Sequence, residues 1–358
     1  MAQHFLLSKQ FRDLSLIELM GLSEVDALMF LAEIRWGSKH KQTCPDCGTW
    51  DAHYFRRTRR QWQCKHCFHT FSLKSGTLLS DLKLTYLQLV VAVFVFISAA
   101  NGISAIEITK YINVTHSSAL LFLHKIKEAI VRHRDLSPME GHVQIDGTYL
   151  GGKPRKSRVR NQKNKQSIKE KIESKGKVKR KLSANDRRNW RRRVENRRLL
   201  IVIRQVTDVP KQGSNRTIVV LAKGESEEYV KPLVEKYVKP GSTISTDENG
   251  AYNFLSAEYH HQTVEHSKEY ATIDGINNNQ AESYNSRIKR FVYGVSHRAM
   301  PQYIFDYACE MAWREDMRRS TLKEIYYDLW SKIFNSGMSE WWRGYYQGHR
   351  RNDEMLMF

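Results

Sequence analysis

The sequence predicts an α+β multidomain chain: a small metal-organised β module, a helical region, an α/β domain and a helical tail. Three observations carry that prediction. Four of the five cysteines fall in two C-x2-C pairs near the amino end. Beyond Pro138, short β-type runs alternate with helical ones, the pattern of an α/β layer. Between the first two of those runs, Lys153 to Arg198 holds 21 Lys+Arg against 4 Asp+Glu, a local +17 within a total of +20. A positive field so concentrated selects a polyanion, most simply nucleic acid, with an anionic membrane surface as the weaker alternative. At 358 residues and 41% hydrophobic content the chain can hold two or three units and a sizeable core.

Residues 1–40 read as a helical segment. Ser23-Glu24-Val25-Asp26 resembles a capping box, opening a helix through Leu28, Leu31 and Ile34 that finishes near Trp36-Gly37. FLL near the start is too short for a secretory signal and has no basic leader. Residues 41–80 contain Cys44-Pro-Asp-Cys47, sixteen intervening residues, and Cys64-Lys-His-Cys67. That spacing fits a zinc ribbon, in which two knuckles supply four thiolates to one tetrahedral structural Zn²⁺. His66 is a poor alternative ligand because it lies between two of the cysteines. The basic hairpin between the knuckles carries Arg56, Arg57, Arg59 and Arg60, candidates for DNA phosphates. Paired CxxC motifs point to a reduced, cytoplasmic chain rather than a disulfide-bonded one.

Residues 81–137 read as helical. Leu84 to Ala100 is strongly apolar but too short and too polar to span a membrane, so it is a buried helix. Ile103 to Tyr111 and a longer helix opening at Thr115 and running to Arg132 flank a tight turn. This is either a helix-turn-helix or a plain helical hairpin. In the first case His116 would meet DNA, with Lys125 and Lys127 on the backbone.

Residues 138–298 hold the α/β domain. HVQI leads to Asp146 and STIST leads to Asp247, each read as the carboxyl end of a strand, and Gly151-Gly152 reads as a turn. The basic block of residues 153–198 is too polar to build its own core. It interrupts the chain between two strands, which favours a DNA-gripping loop over a solubilising tail. Strands over Leu199–Arg204 and Thr217–Leu221, a helix over Glu225–Tyr237, a strand over Ser242–Thr246, a short helix from Tyr252 and a strand at Thr263-Val264 follow. A helix from Gln280, with Gly294 as its stop, carries Glu282 and Lys289 on one face. This is the order of a ribonuclease-H-like domain. Asp146, Asp247 and Glu282 are expected to converge on divalent metal. Residues 299–358 read as a helical tail, with Cys309 as core and an aromatic, basic end SEWWRGYYQGHRR.

AEIRWG ahead of CPDCG, then WQCKHCFHTFSLKSGTLL, IDGTYLGGK, STDENGAY and NNNQAESYNSRIKRFVYG resemble the zinc-ribbon DDE transposases of the insertion sequence fifteen-ninety-five family. The resemblance spans about Leu31 to Arg319. It implies a prokaryotic, nucleoid-associated enzyme that binds the ends of a mobile element and cuts and joins DNA with two Mg²⁺ (or Mn²⁺) ions, acting as a dimer or larger assembly on paired ends. It assigns Asp146, Asp247 and Glu282 as catalytic acids and Lys289 as the associated base, with Arg290 beside it. Three departures stand out. Gly147 sits where many relatives have a second acid, and Asn277 replaces an expected His. Asn279 is a second candidate for the third role, because some relatives use Asn there. A domesticated, non-catalytic DNA-binding protein and a simple nuclease are the competing functions.

Overall fold

The structure, a computed structural model, describes residues 8–151, 197–209, 212–264, 277–297 and 299–342. The basic block, apart from Arg197 and Arg198, and the chain beyond residue 342 lie outside the described residues. Caps written in the sequence set most helix starts. After α1 (Leu16–Met20), Ser23 accepts the Asp26 amide to open α2 (Glu24–Trp36), which closes on Gly37 at φ +72°. Full capping boxes start α3 (Tyr86–Ser98) at Thr85 and α4 (Ala105–Ile112) at Ser104. Asn113 ends α4 in the left-handed region, and Thr115 caps α5 (His116–Arg132). Between α2 and α3, strands β1 (His53–Arg56), β2 (Gln61–Cys64) and β3 (Thr70–Phe71) form an antiparallel sheet in the order β1-β2-β3.

The second sheet is built from β4 (His142–Gly151), β5 (Arg197–Val206), β6 (Ser214–Ala222), β7 (Thr243–Asp247) and β8 (His260–Val264), in the order β6-β5-β4-β7-β8. β5 runs antiparallel to both its neighbours, β4 and β6, and β7 and β8 add in parallel on the other side of β4. Helix α6 (Glu227–Tyr237) supplies the crossover to β7, and a 3-10 turn over Gly250–Ala257 joins β7 to β8. Three helices follow: α7 (Asn279–Arg290), α8 (Ile304–Asp316) and α9 (Leu322–Asn335).

Alternation along the strands sorts the sheet into two faces. Val143, Ile145, Ile201, Ile203 and Val220 pack on Val230, Leu233 and Tyr237 of α6. Leu150, Leu200, Val202 and Leu221 face α7 and α8. The second face is continuous with a larger core holding Leu28 and Leu31 of α2, Trp62 and Phe71 of the ribbon, α3, α5 and α9.

The structure corrects three expectations. β4 does not stop at Asp146; it pairs with β5 to the Gly151↔Arg197 position, because glycine without a side chain still holds a ladder position. Gly294 does not stop α7, which ends at Arg290 and widens into a π turn over Phe291–Val295. Helix α5 is no exposed reading helix: from Leu121 to Val131 every residue is buried, packed against α4, α8 and α9. Only the first turn of α5, around His116, is open to solvent.

Candidate functional site

The four cysteines meet as their spacing requires. Their sulfurs all lie within 4.8 Å of one another, with Cys44–Cys67 at 3.7 Å and Cys47–Cys64 at 3.6 Å. A tetrahedron of thiolates at the usual zinc–sulfur length has an edge of ~3.8 Å, so the cage is the right size for Zn²⁺. Each knuckle needs a left-handed residue after its second cysteine. Gly48 takes that position at φ +71° and Phe68 at φ +61°. Neither His66 nor His69 belongs to the group of possible ligands.

The ribbon is bound into the helical layer. Trp62 packs edge-on against Trp36 at 5.2 Å, and Arg35 donates to the Leu73 and Ser75 carbonyls. Glu24 accepts the Tyr86 and Leu87 amides at the start of α3 and pairs with Arg60 at 3.1 Å. Of the four hairpin arginines, Arg56, Arg57 and Arg59 are exposed, while Arg60 is held against Glu24.

The second site forms where β4 and β7 part. Their register pairs His142 with Thr243 and Gln144 with Ser245. Two residues beyond that last rung stand Asp146 on β4 and Asp247 on β7. The β4–β7 ladder ends at Gln144; at the next residue the Asn278 side chain donates to the Ile145 carbonyl at 3.2 Å. The start of α7 is thereby wedged against β4. Gln144 holds it there, accepting the Gln280 amide at 2.8 Å and donating to the Asn277 carbonyl at 2.8 Å. Arg204 on β5 adds a bond to the Gln280 carbonyl at 2.8 Å. Glu282 lies in the first turn of α7, and one turn on Asn285 donates to Asp146 Oδ2 at 2.6 Å.

Burial pushes the Asp146 carboxyl up to about 6; the Asn285 bond works against the rise, while the charges of Asp247, Glu225 and Glu282 add to it. The charges of the other two predicted acids thus bear on Asp146. Unlike the thiolates, the three acids do not gather into a group whose ligand atoms all lie within 4.8 Å. The donor set is all oxygen, and the buried Asn285 Oδ1 and Thr148 Oγ1 beside Asp146 have no hydrogen-bond partner among the described residues. Hard oxygen donors of this kind suit Mg²⁺ or Mn²⁺ rather than a thiophilic metal.

Sequence reasoning missed Asn285 and Glu225. Asn285 had a signal, lying one turn after Glu282 on the same helix face. Glu225, in the loop before α6, had none. Asn279 is exposed, and its amide turns back to Asn277. Lys289 and Arg290 are exposed and line an open concavity of about 580 Å³ with Asn101 and Tyr293. Lys125 and Lys127, expected on DNA, are buried. Lys125 donates to the Leu78 carbonyl at 2.7 Å, and Lys127 pairs with Glu310 at 3.1 Å. Both lysines work inside the core.

Among the described residues no helix is long and apolar enough to cross a membrane. No curated protein and no solved structure matches the chain. Two family models do. Residues 22–70 match the transposase zinc-ribbon domain, which covers both knuckles. Residues 138–316 match the ISXO2-like transposase domain, from the approach to β4 through the end of α8. With half its length in that second match, this chain belongs to the ISXO2-like DDE transposases, the insertion sequence fifteen-ninety-five family.

Proposed function

We propose that the protein cuts DNA at the ends of a mobile element and joins the freed 3′-hydroxyl to a target, using Asp146, Asp247 and Glu282 to hold divalent cations. The observation that carries this reading is that Asp146 and Asp247 each follow two residues after the last β4–β7 rung, while Gln144 pins the start of the Glu282 helix to β4. Three antiparallel strands, a crossover helix and two parallel strands support a ribonuclease-H-like domain. Two Mg²⁺ or Mn²⁺ ions, when bound, would activate the attacking oxygen and stabilise the leaving one.

The protein's own residues have distinct tasks in this reading. Asp146, central in the sheet, faces both other acids, and Asn285 orients its carboxylate. Lys289, ~10 Å along α7 from Glu282, holds a flanking phosphate together with Arg290. Arg56, Arg57 and Arg59 of the ribbon grip the backbone of the element end, and His116 reaches DNA from the first turn of α5. Pairing two ends calls for two copies of the chain.

The test is incubation of the zinc-loaded protein and Mg²⁺ with end-bearing duplex and plasmid. Joined product is expected, and it should vanish in Asp146→Asn, Asp247→Asn and Glu282→Gln. Binding without any Mg²⁺-dependent nick would instead leave a domesticated DNA-binding protein; nicking without joining would leave a nuclease.

A further inference from the structure

Gly147 follows Asp146 on β4, and the space over its Cα is filled by another residue's carboxylate. A Cβ built there would lie 2.4 Å from Glu225 Oε1, 2.7 Å from its Cδ and 3.0 Å from its Oε2. Any side chain at 147 would evict that group. The carboxylate is held in place by Tyr252, a fully buried residue whose hydroxyl donates to Glu225 Oε1 at 3.2 Å. Asn249 gives the same carboxylate a second side-chain hydrogen bond, and two carboxylate oxygens have lone pairs to spare beyond these two bonds.

The company this carboxylate keeps is unusual. Asp247 bears on Glu225, and both bear on Asp146. No Lys or Arg forms an ion pair with Glu225, Asp146 or Asp247 among the described residues. Three partly buried carboxylates without a cation repel one another, and in a folded site such repulsion is relieved by protons or by metal. Asn285 gives an independent pointer. Its Nδ2 is spent on Asp146 while its Oδ1, on a residue 5% exposed, has no partner. A buried acceptor left open beside anionic groups is a place for a donor or a cation.

We propose that Glu225 is a fourth carboxylate ligand of the divalent-cation site, seated there because residue 147 has no side chain. This rests on the reading of Asp146, Asp247 and Glu282 as metal-holding acids and extends it to a residue on a separate loop. The loop before α6 thereby closes one side of the site, and Tyr252 positions the ligand without touching metal. An Asp at position 147 would project its carboxylate from β4 into the volume that Glu225 now fills from across the site.

The test is Mn²⁺ titration of the full-length, zinc-loaded protein, following free Mn²⁺ by electron paramagnetic resonance. Glu225→Gln keeps the size of the side chain and its bond to Tyr252, and should weaken Mn²⁺ binding on the order of tenfold. Gly147→Ala should weaken it similarly by displacing the carboxylate. The combined Gly147→Asp, Glu225→Gln protein should return to near the original affinity, a recovery that a merely structural Glu225 does not predict. Unchanged binding in Glu225→Gln, or no recovery in the combined variant, overturns the proposal. Asp247→Asn separates the two levels: if it loses Mn²⁺ while Glu225→Gln does not, only Glu225 leaves the site. If Asp247→Asn also binds as before, the reading of the whole site falls.

Discussion

Asp146 is folded into a position that disfavours its own charge. Burial, then Asp247, Glu225 and Glu282, outweigh the Asn285 bond and lift its carboxyl from 3.8 to about 6. A folded value above the unfolded one means that ionisation opposes folding. The cost is absent below pH ~4, grows between pH ~4 and ~6, and is complete above that range. Asp146→Asn in Mg²⁺-free buffer is therefore expected to raise stability by about 3 kcal/mol at pH 7.5, with the gain fading as the pH approaches 4. Thermal melts across that range, with zinc retained, measure it. Added Mn²⁺ should reverse the order by stabilising the original protein more than the variant. A variant less stable than its parent at every pH would mean that the carboxylate is paid for by contacts other than metal.

At the level of elements, α7 is fastened at several points. Gln144 and Arg204 hold its first turn, Tyr284 donates to the Ala308 carbonyl of α8 at 2.7 Å, and Arg287 pairs with Glu315 at 2.8 Å. Helix α5, by contrast, is core. Lys127 and Glu310 form a pair 3% and 1% exposed, so removing one partner strands a buried charge. Lys127→Ala should destabilise by about 3–5 kcal/mol and leave the salt dependence of DNA binding as it was. Arg57→Gln should do the opposite, with little effect on the melt and a slope of log affinity against log salt shallower by ~0.9. The pair of variants, followed by melting and by binding at several salt concentrations, separates core lysines from phosphate-facing arginines. The sequence could not make that separation. A lysine on a helix looks the same whether its ammonium meets a carbonyl, a glutamate or DNA, and only the packing of α8 and α9 around α5 decides.

Over the whole molecule, what could be read in advance was what depends on nearby residues: the CxxC spacing, the capping boxes at Thr85 and Ser104, the alternation along β5 and the place of Glu282 on a helix. What could not be read depends on contacts made across the chain. Glu225 reaches Gly147 only because the loop leaving β6 carries it back across β5 to β4, and β4 outruns Asp146 only because β5 pairs with it as far as Gly151. The amino-terminal and carboxyl-terminal helices share one core with the ribbon, so losing zinc should loosen more than the knuckles. The Gly151↔Arg197 pair has a practical corollary. The two ends of the basic block meet as rungs of one hairpin, so the 45 residues between them can be exchanged for an Asn-Gly turn without asking β4 or β5 to move. Such a shortened protein should keep its melting behaviour and its Mn²⁺ affinity while its hold on DNA weakens and becomes less sensitive to salt. Nineteen Lys and Arg are in effect a detachable fitting, clipped to the scaffold ~17 Å along the strand from Asp146.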